Sequence, residues 1–388
     1  MKSSSSLDSL KSRLTEIHHL RDAAAVLSWD QETYMPAGGG QARAEQIATL
    51  QTLAHDKFVS AETEELLAIW IDEATGQIQA QFQSELDNTS QALLRETWRD
   101  FSQAKKLPSS FVNRLQRECS LSQQVWAEAR KHNDFRSFLP NLRSLLALKI
   151  EEAKYLGFVE SPYDPLLDRY EPGATAAQLK PLFAKLRERL VSLLQQVLNS
   201  SHKPNEGLLT QAFETEKQIE FGRMVLEKMG YQFDRGRLDL STHPFTTSFH
   251  PTDVRVTTRV FEHDLSSCLF SCIHEGGHGL YEQGLLPKYY GTPMAEPVSL
   301  GIHESQSRLW ENCVGRSHPF WQHFYPLLQQ TFPNQLQEVL FDDFFAAINI
   351  VKPSLVRVEA DELTYNLHIM VRFEIELALI EGQLQVED

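Results

Sequence analysis

Cys272-Ile273-His274-Glu275-Gly276-Gly277-His278-Gly279 lies inside a longer run, Leu265 through Gln283, whose apolar residues recur at three- and four-residue steps, the period of a helix. Residues at i and i+4 share a helix face, so His274 and His278 can turn both imidazoles toward one metal ion. Glu275 projects beside them, placed to take a proton from water activated by a zinc ion. The five-residue pattern alone also arises by chance on solvated helices. His303-Glu304-Ser305-Gln306-Ser307, opening a second helical stretch downstream, strengthens it, because that stretch can return antiparallel and deliver Glu304 as a third ligand. Two His and one Glu leave a fourth position open, as hydrolytic zinc sites do and closed structural sites do not.

Other residues of the same run carry alternatives. Glu282, four residues after His278, can accept the proton on the imidazole nitrogen that does not bind metal, or it is a solvated surface carboxylate. Gly276, Gly277 and Gly279 weaken the helix by roughly 1 kcal/mol each relative to Ala. Either tight helix packing or close approach of substrate and ligand shell accounts for them. Cys268 and Cys272 read as small core residues, since a disulfide within one helix strains its geometry.

Outward from this segment, the chain of 388 residues reads as mainly α. Leu7, Leu10, Leu14, Ile17 and Leu20 form one apolar helix stripe, broken by Met35-Pro36-Ala37-Gly38-Gly39-Gly40 and resumed through Ala44, Ile47, Leu50 and Leu53, a helical hairpin pattern. Similar stretches run over residues 93–107, 111–132, 138–156, 176–198 and 210–229, then 303–314 and 341 to the end. Val254, Val256, Thr258 and Val260 alternate with Arg255, Thr257 and Arg259, and with Phe245 to Phe249 and the turn-prone His250-Pro251-Thr252-Asp253 they predict one small β hairpin. The expected organisation is a single unit over 1–388, with antiparallel helices in 1–235 and the metal-site core in 236–388.

Lys and Arg number 37 against 52 Asp and Glu, a net charge of −15 that repels phosphate backbones and anionic membranes, so nucleic acid is not an expected partner. No apolar run approaches the ~18 residues that span a bilayer. Four cysteines without disulfide spacing, and a start at Met1-Lys2 followed by Ser3 to Ser6 without an apolar signal core, fit a cytoplasmic protein.

Taken together, the motifs make the chain resemble the M32 family of metallocarboxypeptidases. Leu27-Ser28-Trp29-Asp30-Gln31-Glu32-Thr33-Tyr34-Met35-Pro36, His243-Pro244-Phe245, Asp253-Val254-Arg255-Val256-Thr257, His274 to His278, His303-Glu304-Ser305-Gln306 and Val356-Arg357-Val358-Glu359-Ala360-Asp361 follow in the family's order. The resemblance covers essentially the whole chain. It implies a zincin-like multi-helix body with a deep groove, one zinc or cobalt ion, removal of single residues from the free C-termini of peptides, and a homodimer. Carried over by position, it makes His274, His278 and Glu304 the metal ligands and Glu275 the general base. It puts His243 on the groove wall as a substrate contact, against the alternative of a turn histidine. Arg357 would hold the terminal carboxylate, against the alternative of a salt bridge with Glu359 or Asp361. Arg255 is expected to pair with Asp253, with contact to the substrate as the alternative.

The chain departs from the family pattern in two places. Ala is usual where Gly276 and Gly279 stand. Family members also continue past the segment matching Leu379-Ile380-Glu381-Gly382 into a Gln-Asp-x-His-Trp motif that supplies an oxyanion donor. On that ground the chain is expected to be incomplete and weakly active, with Ile369, Phe373, Leu377 and Ile380 short of partners. The competing functions are a catalytically silent zinc-binding scaffold and a zinc endopeptidase or dipeptidase.

Overall fold

Leu10, Leu14 and Ile17 are sealed against Phe58, Leu67, Trp70 and Phe101, so the apolar stripe of the first helix is the one that folds the N-terminal half. A computed structural model describes residues 2–388, with side chains described from Ser6 onward, that of Glu359 excepted. The helices are α1 (Lys2–Thr33), α2 (Gly40–Phe58), α3 (Ala61–Ala68), α4 (Asn88–Ala104), α5 (Ser109–His132), α6 (Phe135–Leu156), α7 (Asp164–Leu167), α8 (Ala176–Leu198), α9 (Thr215–Met229), α10 (Leu265–Gly284), α11 (Leu300–Arg308), α12 (His318–Thr331), α13 (Pro333–Leu336), α14 (Phe341–Ile348) and α15 (Glu362–Ile380). None is long and apolar enough to cross a membrane among the described residues.

The β structure is richer than one hairpin. β4 (Thr246–His250) and β5 (Asp253–Thr258) pair antiparallel as expected, but β3 (Gly236–Leu240) lies on the other side of β5, parallel to it, giving the order β3-β5-β4. β3 escapes a pattern search because it is short and one of its inward residues is polar. Asp239, buried, is held by Arg237 at 2.6 Å and by the hydroxyl of Tyr34. A second pair, β1 (Ile71–Asp72) with β2 (Gln77–Ile78), is too short for any period to register.

The C-terminal stretch also differs from a continuous helix after Phe341. α14 ends at Ile348 and an irregular segment leads to α15; Pro353 within it can neither donate a backbone hydrogen bond nor continue a helix. On α15, Phe373, Leu377 and Ile380 are not short of partners. They are buried against Ala153, Tyr163, Leu166 and Ala176, and of the four residues expected to be unpartnered Ile369 alone is exposed.

α10 is the central element. Leu265, Leu269 and Ile273 join Phe221 and Val225 of α9, Trp321 and Leu328 of α12 and Phe344 of α14 in the largest core. Cys268 and Cys272 are fully buried with Leu226 and Val256, and all four cysteines are free thiols. The glycines of α10 serve packing. A Cβ on Gly276 would stand 2.4 Å from Leu226 Cδ2, and one on Gly279 2.8 Å from the Tyr231 ring. At Gly277 the obstacle is backbone: a Cβ would lie 2.6 Å from Ser307 Cα and 2.8 Å from the Gln306 carbonyl oxygen. α11 therefore rests directly on the α10 main chain.

This close approach makes Gly277→Ala an overpacking change against main chain, expected to lower stability by about 1–3 kcal/mol. Gly284→Ala, with nothing within 4 Å of its Cβ, is the control and should be neutral or slightly stabilising. Thermal unfolding of both variants checks this; an unchanged Tm for Gly277→Ala would mean that the two helices have slack between them.

Candidate metal centre and groove

The contacts between α10 and the chain from α11 onward run in opposite senses. His303 meets His278 and Glu282, Ser307 faces Gly277, Glu311 meets His274, and Gly315 faces Ile273. This antiparallel crossing brings Glu304 over the two imidazoles of α10. Its Oε2 lies 3.2 Å from His278 Nε2 and 3.5 Å from His274 Nε2. Ligand atoms about 2.05 Å from a tetrahedral ion are separated by about 3.3 Å, so these two separations match edges of such a polyhedron. His274, His278 and Glu304 also form the one group of three such residues able to hold an ion together among the described residues.

Each imidazole uses its other nitrogen for support. His274 Nδ1 lies 2.7 Å from Glu311 Oε2. Arg308 holds Glu311 at 3.0 Å through Nη1 and the Glu304 carboxylate at 3.3 Å through Nε, with its guanidinium 3.4 Å over the Tyr365 ring. Burial works to depress the His274 pKa, but hydrogen bonds with Glu304 and Glu311 outweigh it and carry it up to about 10. Burial likewise opposes ionisation of Glu304 and Glu311, and the facing imidazoles together with Arg308 more than offset it, holding both carboxyls below their ordinary value.

The support of His278 differs from the expected one. Glu282 does not accept from His278 directly: its Oε1 is 2.7 Å from His303 Nε2, and His303 Nδ1 contacts His278 Nδ1. Helical spacing puts Glu282 and His278 on one face, but His303, coming from α11, occupies the space between them.

Glu275 is 6% exposed and its Oε2 accepts a hydrogen bond from Thr246 Oγ1 at 2.7 Å, across from β4. The site opens into a groove of about 1430 Å³ whose lining includes Glu275, His243, Thr246, Arg308, Arg357 and Tyr365. His243 stands on this wall with Nδ1 2.7 Å from the Pro244 carbonyl, and burial pushes its pKa down. Arg357 contacts the Tyr365 hydroxyl through Nη1, and its buried Nε has no hydrogen-bond partner among the described residues. Asp361 caps α15 instead of pairing with Arg357, accepting from the backbone of Leu363 and Thr364 at 3.0 Å; the Glu359 side chain lies outside the described residues. Arg255 pairs with Asp253 at 2.9 Å through two bonds and stacks 4.3 Å over Trp29. Away from the triad, burial raises the pKa of groove-lining Asp22 to about 6 and of Glu296 to about 7.

Three residues at this site go unread in the sequence, Thr246, Arg308 and Glu311, while His303 is read only as part of the motif that carries Glu304. A signal existed for two of them, since Glu304, Arg308 and Glu311 fall at i, i+4 and i+7 on one helix face. The turn that carries Glu311, Leu309–Val314, is a π-helix, a widened geometry often found at functional sites.

The sequence and the fold of the chain have counterparts in known proteins. Thermostable carboxypeptidase 1 of Thermus thermophilus is 42% identical over 385 residues, covering 96% of this chain and 73% of that protein. Carboxypeptidase 1 of Bacillus subtilis is 40% identical over 375 residues, covering 97% and 73%. The solved structure described as "BsuCP Crystal Structure" matches with a TM-score of 0.94 at 38% identity, over 99% of this chain and 76% of that one. The M32 carboxypeptidase from Deinococcus radiodurans matches at 0.87 and 38% identity, over 99% and 75%. The signature of the family described as Carboxypeptidase Taq (M32) metallopeptidase spans residues 9–388, and the chain belongs to this family of metallocarboxypeptidases.

Proposed function

We propose that the chain hydrolyses the C-terminal peptide bond of peptides with a zinc ion held by His274, His278 and Glu304 and with Glu275 as general base. The observation that carries this reading is the triad of donors spaced like ligands of one ion, with an open side toward the groove. Zinc is favoured over cobalt because the two-His, one-carboxylate set with an open position is the common hydrolytic zinc arrangement. Held by His274, His278 and Glu304, such an ion would supply Lewis acidity for the scissile carbonyl and would lower the pKa of water toward about 7.

The chain's own groups do the rest. Glu275, anchored at Oε2 by Thr246, takes the proton of the attacking water and passes it to the departing amine. His243 donates its Nδ1 proton to Pro244 and, being neutral, keeps a lone pair on Nε2 for a substrate N–H. Arg357, whose Nε has no partner among the described residues, holds the terminal carboxylate, where its planar fork suits two oxygens. A cytoplasmic location and a homodimer complete the reading, supported by the free cysteines and by the family resemblance.

Replacing Glu275 by Gln keeps the shape but removes the proton acceptor. It should retain zinc while kcat falls about 10²- to 10⁴-fold, whereas His278→Ala should lose the ion. Metal analysis and steady-state kinetics on a blocked dipeptide read both, and parental turnover in Glu275→Gln would make that residue structural. Arg357→Ala should raise KM strongly for substrates with a free C-terminus, and C-terminal amides should resist the parent chain. Equal cleavage of amide and acid would instead indicate an endopeptidase.

A further inference from the structure

His303 takes no part in the mechanism above, yet it is 8% exposed and stands between two groups close to the site. Its Nδ1 contacts His278 Nδ1, its Nε2 is 2.7 Å from Glu282 Oε1, and its ring centroid is 4.5 Å from that of His278. Tyr281 packs on the ring at 4.9 Å. The protons of this chain can be assigned one by one. His278 Nε2 faces Glu304 and gives its lone pair to an ion, so the single proton of the neutral ring sits on Nδ1. That N–H meets His303 Nδ1, which must then present a lone pair. The proton of His303 is therefore on Nε2, directed at the Glu282 carboxylate. Any other arrangement of two neutral rings puts two protons or two lone pairs face to face.

We infer that His303 is a positioning residue of the metal site, an imidazole that stands between Glu282 and His278 and fixes the ring plane and tautomer of His278 through this hydrogen-bonded chain. A carboxylate or carbonyl usually meets a ligand histidine directly, as Glu311 meets His274. On the His278 side an imidazole is interposed, so the ligand is oriented by a hydrogen bond while the charge of Glu282 is kept one ring away. The inference rests on the proposed role of His278 as a ligand.

The test uses the full chain with His303→Phe, His303→Asn, Glu282→Gln and His278→Ala, and measures zinc affinity by competition with a chromophoric chelator, the Tm of the metal-free protein, and kcat and KM. Loss of such a supporting partner typically costs about 10- to 100-fold in metal affinity, and His303→Phe should fall in that range. His303→Asn can still accept from His278 Nδ1 and should recover part of the loss, with a metal-free Tm near that of the parent and an unchanged KM. Glu282→Gln should be intermediate. Nitrogen NMR of the zinc-loaded parent should find the proton of His303 on Nε2 and that of His278 on Nδ1. Parental zinc affinity in both His303 variants, or a His303 proton on Nδ1, overturns the relay even if His278→Ala loses the ion. Retention of the ion by His278→Ala overturns the ligand assignment itself, and the relay with it.

Discussion

The main-chain contact between α10 and α11 at Gly277 is the constraint on which the site depends. With no side chain there, Ser307 and the Gln306 carbonyl lie where a Cβ would be, and α11 comes near enough for Glu304 to reach both imidazoles. A methyl group would push α11 outward. The displacement would be shared by Glu304, His303 and Glu311, because all three ride on the same antiparallel segment. A helix normally loses stability by carrying three glycines in four positions; here burial of α10 among the largest apolar contacts of the chain offsets that loss.

The second determinant is electrostatic, and it is asymmetric. On the His274 side, Glu311 faces the ring directly, and Arg308 and Arg316 approach the same carboxylate at 3.0 and 3.9 Å. On the His278 side, the Glu282 carboxylate meets the His303 ring, which lies between it and His278. Unpaired charge is costly for the buried members of the cluster such as Glu311 and Glu282, and the cluster answers this by alternating acids, bases and aromatic faces. Arg308 links both sides, since it binds Glu304 and Glu311 and lies flat on Tyr365, which in turn contacts Arg357. The metal centre and the arginine proposed to hold the substrate's end are thus parts of one network.

Much of this was legible in the sequence, for physical reasons. The i, i+4 histidines on an apolar-periodic run and the His303-Glu304 pair downstream needed only helix geometry, and the long helices declared themselves by stripes such as Leu10, Leu14 and Ile17. What stayed hidden depended on contacts between elements. Glu282 was correctly assigned to the face of His278, but no periodicity reports that an imidazole from another helix lies between them. β3 was missed because its buried Asp239 breaks the apolar alternation and is satisfied only by Tyr34 and Arg237. Phe373, Leu377 and Ile380 of α15 are expected to lack partners because family members carry further helices beyond this segment, yet Tyr163 and Ala176, about two hundred residues earlier in the sequence, already cover them.

A crystal of the full chain soaked with zinc and measured at the zinc absorption edge tests the central claim most directly. The account predicts one anomalous peak per chain, about 2.0–2.2 Å from His274 Nε2, His278 Nε2 and a Glu304 carboxylate oxygen, with His303 Nδ1 facing His278 and not the ion. A peak ligated through His303, or located away from the α10 and α11 crossing, would contradict it.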